Sequence, residues 1–97
     1  MAVIETMTFR LEGTTDESEF SAADRRVQTE FAYHQPGLAR RTTARGNDGE
    51  WIVIDLWASA ADADACAASR DNDAIPAAFM ELVDGSTVRT TRYATLD

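Results

Sequence analysis

The stretch that most constrains the fold is residues 50–58, Glu-Trp-Ile-Val-Ile-Asp-Leu-Trp-Ala, the longest apolar run in the chain. Its β-branched and aromatic residues, bounded by Gly49 and Ser59, predict a buried central strand. Because alternate side chains of a strand point to opposite faces, this strand has two faces of different character. The aliphatic face carries Ile52, Ile54 and Leu56, and the Trp/Asp face carries Trp51, Val53, Asp55 and Trp57. We expect the aliphatic face to pack under helices and the Trp/Asp face to border a cavity or a partner subunit.

The residues before this strand predict a strand, a helix and a second strand. Apolar and polar residues nearly alternate over residues 2–12, which is typical of a strand. Asp16 and Glu19 have the spacing of a capping box, and the helix that follows ends near His34, before Pro36 and Gly37. Residues 38–45 then form a strand that pairs with the central strand through a tight turn at residues 46–49.

The residues after the central strand predict two helices and a last strand. Ser59 caps an Ala-rich helix over residues 60–70, a short helix begins at Pro76, and residues 87–96 form a strand. The element order predicts one α+β domain over residues 1–97, a ferredoxin-like βαββαβ fold with a four-stranded antiparallel sheet and its two main helices on one face. The open sheet face would expose apolar surface, so we expect a homodimer that forms through it.

Composition excludes several classes of partner. The chain has 17 acidic and 9 basic residues and a net charge of -8, which argues against nucleic acid or an anionic membrane. We find no signal peptide and no apolar run of the ~20 residues that a membrane span needs. Cys66 is the only cysteine, so no disulfide forms within the chain and a cytoplasmic location is expected. With one histidine and no phosphate-binding loop, we expect neither a metal nor another cofactor.

The candidate catalytic residues are Asp55 and Trp57. Asp55 could act as a general base whose pKa is raised by apolar surroundings, or it could form an ion pair with an Arg of a neighbouring strand. Trp57 and Trp51 could stack on a conjugated ligand, or they could pack against a second subunit. His34 could shuttle a proton or interact with the C-terminal end of its helix, and Cys66 is interpreted as a small core residue.

Five arginines lie on the second and fourth predicted strands: Arg40, Arg41, Arg45, Arg89 and Arg92. A pair of them facing the cavity could clamp a carboxylate or an enolate, or they could be solvated charges that protect strand edges. Our candidate ligand-binding residues are Trp51, Arg40, Arg89, Arg92 and Tyr93, the last as a proton donor to a ligand oxygen or as a packing residue.

The segment Gln-Pro-Gly-Leu at 35–38, the Thr/Arg strand, and residues 51–59 before an Ala/Asp helix resemble the antibiotic biosynthesis monooxygenase-like group of dimeric α/β-barrel proteins. Trp57 matches the Trp that ends the corresponding strand in that family. The family includes cofactor-independent oxygenases of polycyclic phenols and haem-degrading enzymes. The haem-degrading branch needs an Asn on the first strand and a His about ten residues beyond the Trp. This chain has Thr6 and Thr8 on that strand and Ala67 on that helix, so we do not expect haem degradation.

Two functions follow from the resemblance and the residues. The first is a monooxygenase-like enzyme that orients a phenolic or enolic small molecule, helps to remove its proton and lets the carbanion react with oxygen. In the quinone-forming branch an Asn is expected one step inward on the Trp strand, where this chain has Val53. The second is a non-catalytic dimer that binds a small ligand or serves in a stress response.

Overall fold

The computed structural model describes residues 1–96. Its strands are β1 (Val3–Leu11), β2 (Leu38–Arg45), β3 (Trp51–Trp57) and β4 (Val83–Ala94). Its helices are α1 (Glu17–Arg26), α2 (Ala60–Arg70) and α3 (Ala74–Glu81), and α1 continues through a π-helical turn (Val27–Phe31) and a 3-10 turn (Ala32–His34). None of the helices within residues 1–96 combines the length and hydropathy that a membrane crossing needs.

The four strands form one antiparallel sheet in the order β2-β3-β1-β4. The two central strands are β3 and β1, which pair from Val3 opposite Trp57 to Phe9 opposite Trp51. The predicted α+β, ferredoxin-like fold is confirmed: the hairpin β2–β3 lies between two helical connections, and α1, α2 and α3 form a helical layer against the sheet.

Each helix begins where a short acceptor side chain caps a free backbone amide. The carboxylate of Asp16 accepts a hydrogen bond from the backbone N–H of Ser18, and the Ser59 hydroxyl accepts one from Asp62. Asp16 and Ser59 are therefore the N-caps as predicted, although Asp16 accepts from Ser18 rather than from Glu19, as a capping box would require. The third helix begins two residues earlier than predicted because Asp73 caps it through the N–H of Ile75, so Pro76 lies within its first turn.

The last strand begins at Val83 rather than at residue 87, because Val83 and Asp84 already pair with Leu11 and Arg10 of β1. Asp84 lies opposite Arg10, and the register shifts between this pair and the pair of Thr8 with Arg89. The Asp84 carboxylate binds the backbone N–H and the hydroxyl of Ser86 at 3.1 and 2.7 Å, which stabilises the irregular segment.

The orientation expected for β3 was wrong, because the helical layer covers its Trp/Asp face. Trp57 is 1% exposed, and the Trp51 ring packs on the Phe20 ring of α1 with the centroids 4.8 Å apart. The aliphatic face lies on the uncovered side of the sheet. Both faces of β3 are apolar, so alternation alone cannot decide between them. An aromatic cluster beneath the helices decides the orientation: Phe9, Phe20, Phe79 and Trp51, with neighbouring centroids 4.8 to 5.8 Å apart.

A β-bulge in β2 changes which of its residues share a face. Leu38 lies opposite Trp57, but the next pair joins Arg40 to Leu56, so Ala39 is an extra residue. We expected Leu38 and Arg40 to share a face. The bulge instead places Leu38 and Arg41 on the covered side of the sheet and Arg40 on the uncovered side.

The turn into β2 depends on a positive backbone angle at Gly37, where φ is +85°. A Cβ atom at this position would lie 2.2 Å from a carboxylate oxygen of Asp62. The Gly37 carbonyl also accepts a hydrogen bond of 2.8 Å from the N–H of Ala58. The turn therefore holds the start of β2 against the end of β3, beside Trp57.

Candidate functional site

A cavity of about 220 Å³ lies between the sheet and the helical layer. Its floor comes from all four strands: Glu5 and Met7 on β1, Leu38 and Arg41 on β2, Val53, Asp55 and Trp57 on β3, and Thr90 on β4. Its roof comes from the helical layer: Val27, Phe31, Ala32, Cys66, Ala67, Arg70, Pro76, Phe79 and Met80. Val27 and Phe31 belong to the π-helical turn, an irregularity often found beside functional sites.

Four charged residues form one row across the floor side of the sheet. Strand register places Arg41 opposite Asp55, Asp55 opposite Glu5, and Glu5 opposite Arg92. The two outer arginines flank the two inner carboxylates. A row of this kind on the covered side of a sheet places ionisable groups where apolar side chains usually pack.

The Asp55 carboxylate has one oxygen, Oδ1, that is buried and has no hydrogen-bond partner within residues 1–96. Burial raises the pKa of Asp55 to about 6, although the positive charges of Arg41 and Arg70 oppose this increase. At neutral pH the group is therefore mainly a carboxylate, yet it takes up a proton far more readily than an exposed Asp does. This is the property required of a general base.

The indole N–H of Trp57 is also buried, and none of the described residues accepts a hydrogen bond from it. The side chain is 1% exposed, and buried Trp N–H groups usually find an acceptor. Asp55 and Trp57 lie two residues apart on β3, so both project from the same face of the strand into the wall of the cavity. Two residues of the cavity lining thus carry an unpaired acceptor and an unpaired donor.

Arg41 is held at the cavity wall by residues of α1 and its continuation. Its side chain is 4% exposed and donates to Asp24 Oδ1 at 2.8 Å and to Gln28 Oε1 at 3.2 Å. The Tyr33 hydroxyl accepts a hydrogen bond from the backbone N–H of Arg41 and donates one to its carbonyl oxygen. The guanidinium also lies 5.9 Å from the centroid of the Phe79 ring. These contacts fix a positive charge beside Asp55.

The remaining inner carboxylate, Glu5, is paired outside the cavity. Arg92 Nη2 lies 2.9 Å from Glu5 Oε2 and 2.8 Å from Asp64 Oδ1, so Arg92 links β4, β1 and α2. Within residues 1–96, no arginine lies within ion-pair distance of the Asp55 carboxylate. We had considered a direct ion pair between Asp55 and a neighbouring Arg. Instead, the positive charges of Arg41 and Arg70 act on Asp55 only through space.

The structure brings together two of the residues singled out from the sequence, Asp55 and Trp57. Trp51 lies at the other end of β3, about 20 Å along the strand from Trp57, and borders a separate surface depression. Arg40, Arg89 and Tyr93 lie on the uncovered side of the sheet, opposite Leu56, Thr8 and Ile4 respectively, and not at the cavity. Arg92 is on the covered side but is engaged by Glu5 and Asp64.

Sequence reasoning missed Arg70 and Glu5 as cavity residues, and it named Arg41 among the strand arginines without selecting it as a ligand-binding residue. Glu5 left a signal: it is the one charged residue on the apolar side of β1, as Asp55 is on β3, and antiparallel pairing places the two opposite each other. No sequence pattern indicates that Arg41 faces the cavity, because only the bulge at Ala39 turns it toward the helices. Cys66 is a buried core residue as expected, and burial raises the pKa of its thiol.

The arrangement fits an uncharged ring that carries a hydroxyl or enol group. Apolar side chains supply most of the wall, Trp57 can donate to an oxygen, and Asp55 can accept a proton from it. Within residues 1–96, no three His, Cys, Asp or Glu side chains come together in a way that could hold a metal ion.

Comparison with solved structures identifies the fold independently. SnoaB, a cofactor-independent oxygenase from Streptomyces nogalater, superimposes with a TM-score of 0.81 at 20% identity over 99% of this chain and 94% of its own. A proposed antibiotic biosynthesis monooxygenase from Caulobacter crescentus gives 0.82 at 15% identity, over 99% of this chain and 91% of its own. A similarly described protein from Nitrosomonas europaea gives 0.72 at 15% identity, over 98% and 99%.

No protein-family model matches the sequence, and no curated protein matches it either. The structural likeness nevertheless extends over nearly the whole chain, including β3, the cavity floor and the helical layer. The chain therefore has the ferredoxin-like fold of the antibiotic biosynthesis monooxygenase-like proteins.

Proposed function

We propose that this protein is a cofactor-independent monooxygenase-like enzyme that acts on a small phenolic or enolic molecule. The observation that carries the proposal is a pair of buried polar atoms without a hydrogen-bond partner within residues 1–96, Asp55 Oδ1 and Trp57 Nε1, which belong to two residues that line one largely apolar cavity. Leaving two such atoms unpaired costs folding free energy, about 1–3 kcal/mol for each group. A ligand that supplies a donor to Asp55 and an acceptor to Trp57 recovers that cost.

The size of the cavity limits the substrate. An apolar cavity of about 150 Å³ holds benzene, so about 220 Å³ suits a molecule of one or two fused rings. The flat rings would lie between Val53 and Met7 on the floor and Phe31 and Phe79 on the roof. Larger polycyclic phenols would have to extend through the mouth of the cavity.

The chain's own residues bind and activate the hydroxyl group. The N–H of Trp57 donates to the substrate oxygen, and this hydrogen bond strengthens as negative charge develops there. The carboxylate of Asp55 accepts the hydroxyl proton, for which its raised pKa is suited. The product of this step is a phenolate or enolate held against Trp57 and a neutral Asp55.

Dioxygen is the co-reactant in the oxidation. The ring carbon para or ortho to the oxygen supplies two electrons, and a C–O bond to dioxygen forms to give a peroxide. Asp55 returns its proton to the peroxide, whose O–O bond then breaks as the ring carbon loses its hydrogen. The products are a quinone and one water, so a phenol and one dioxygen are consumed without another reductant. The likeness to SnoaB, itself described as a cofactor-independent oxygenase, supports this reaction class.

The test is oxygen uptake with a panel of one-ring and two-ring phenols, among them catechol, 1-naphthol and 1,5-dihydroxynaphthalene. The proposal predicts equimolar loss of dioxygen and appearance of quinone absorbance with at least one compound, and no uptake with the corresponding methyl ethers. Saturable binding without oxygen uptake would instead support a non-catalytic ligand-binding protein. Absence of both binding and turnover would contradict either function.

The uncovered sheet face supports the proposed homodimer. It carries the aliphatic side chains Ile4, Ile52, Ile54 and Leu56 in adjacent register positions, with Thr6, Thr8 and Tyr93 beside them. These four aliphatic side chains are partly exposed, and neighbouring apolar side chains on an open sheet face are typical of an interaction surface. Sheet-to-sheet packing of two copies would bury it and would leave each cavity on the outer, helical side.

Sedimentation velocity tests the dimer. The wild-type protein is expected to sediment as a dimer, and Ile54→Glu as a folded monomer, because the new carboxylate would be buried at the interface without a partner. Ala22→Glu on the exposed side of α1 makes the same charge change away from this face and should remain dimeric. A monomeric wild-type protein would refute the dimer without affecting the cavity.

A further inference from the structure

The mouth of the cavity carries a cation that the proposed reaction does not use. Arg70 is the last residue of α2, its side chain is exposed, and it lines the cavity together with the exposed residues Ala67, Met80 and Thr90. Its Nη2 lies 3.8 Å from Sγ of Cys66, a buried residue in the cavity roof. The guanidinium is therefore turned along the roof toward the interior.

Two of the other charged groups of the cavity already have ion-pair partners. Arg41 is paired with Asp24, and Glu5 with Arg92. Within residues 1–96 no carboxylate lies within ion-pair distance of Arg70; its electrostatic influence falls on Asp55. When Asp55 takes the substrate proton it becomes neutral, and the positive charge of Arg70 no longer has a negative charge nearby to attract. Arg70 is then the cation at the cavity that lacks an anion.

We propose that Arg70 binds an anionic substituent of the substrate, of the carboxylate class, and so selects phenolic or enolic acids over neutral phenols. The inference rests on the proposed function, because it assumes that a ring occupies the cavity with its hydroxyl group at Trp57. A charged substituent could not follow the ring into the apolar interior without a large desolvation cost. At the mouth it keeps part of its hydration and meets the bidentate donors of a guanidinium.

The net charge of the chain makes such a residue useful. At -8 the protein repels anions in general, so an anionic substrate would approach slowly and bind weakly without a local positive charge. Arg70 supplies that charge at the entrance. It acts as a specificity residue, since it lies away from the oxygen that reacts.

Binding of a matched pair of ligands tests the inference by isothermal titration calorimetry. The probes are 6-hydroxy-2-naphthoate and its neutral isostere 6-hydroxy-2-naphthamide, which share the hydroxyl group and the two rings. For Arg70→Gln we expect about fivefold weaker binding of the naphthoate and unchanged binding of the naphthamide, as for a partly exposed ion pair. Arg70→Glu should weaken naphthoate binding further, again with little change for the naphthamide.

The control variant Arg25→Gln removes one positive charge from the exposed side of α1 and should leave both affinities unchanged. Equal affinities of the wild-type protein for the two ligands, or an equal loss for both in Arg70→Gln, would overturn the role of Arg70 while leaving the proposed function intact. If neither ligand binds the wild-type protein, the proposed function and this inference both fail.

Discussion

Arg41 and Asp55 occupy directly opposed positions on β2 and β3, and both project toward the helical layer. The arginine is tied to Asp24 and Gln28, so its charge stands beside Asp55 without neutralising it through a direct hydrogen bond. This relationship explains how a carboxylate can stay mainly ionised at neutral pH in an apolar cavity. Its pKa is raised by burial, but the neighbouring guanidinium limits the increase.

Replacing Asp55 with Asn should stabilise the protein at pH 8 and abolish oxygen uptake. The folded-state pKa of about 6 exceeds the ordinary value of 3.8, so the native state binds the proton more tightly than the unfolded state does. Asp55 therefore contributes a loss of stability that develops as the pH rises from about 4 to about 6 and persists above it. The difference corresponds to at most about 3 kcal/mol.

Urea unfolding of both proteins at pH 4 and pH 8 measures this effect. The advantage of Asp55→Asn should be near zero at pH 4 and on the order of 1–3 kcal/mol at pH 8. A variant that is less stable than the wild type at pH 8 would show that the carboxylate is not a strained, unpaired group.

Replacing Trp57 with Phe should reduce the rate of oxygen uptake about 10²- to 10³-fold, as expected when one donor to a developing oxyanion is removed. The N–H has no hydrogen-bond partner within residues 1–96, so its removal recovers a cost of about 1–3 kcal/mol that offsets the space left by the smaller ring, and we expect little net change in stability. Trp51→Phe is the matched control, because Trp51 lies outside the cavity. Equal effects of the two substitutions on the rate would contradict the role given to Trp57.

Replacing Arg41 with Met should shift the pH dependence of the reaction upward. The pKa of Asp55 is about 6 with the guanidinium present, so the midpoint of the kcat/KM profile should lie near that pH and move higher without it. The variant should also lose about 3 kcal/mol of stability, because Asp24 loses its ion-pair partner. In Arg45→Met the lost ion pair with Glu17 is exposed, so we expect an unchanged midpoint and a loss below about 1 kcal/mol. A midpoint that stays near pH 6 in Arg41→Met would refute the coupling.

Replacing Gly37 with Ala should destabilise the protein by about 2 kcal/mol or more. The backbone angle of +85° is unfavourable for Ala, and the new Cβ would collide with the Asp62 carboxylate. Gly13→Ala provides the comparison, since a Cβ there meets no atom within 4 Å. Thermal unfolding of the two variants should therefore differ clearly, and similar melting temperatures would show that the turn before β2 is not constrained.

The order of strands and helices, the caps at Asp16 and Ser59, and the grouping of Asp55 with Trp57 were determined by the sequence alone. They depend on local chemistry: the period of a strand, the free amides of a first helical turn, and the turn residues between strands. The fold class followed from the order of these elements.

Only the tertiary structure decided which face of β3 the helices cover and which arginine reaches the cavity. Alternation separates the Trp/Asp face from the aliphatic face but does not say on which side a distant helix packs, and here both faces are apolar. That choice depends on how Phe9, Phe20 and Phe79 fill the space around Trp51. The bulge at Ala39 likewise exchanges the faces of Arg40 and Arg41, because one extra residue reverses the alternation, and this becomes visible only when the two strands pair.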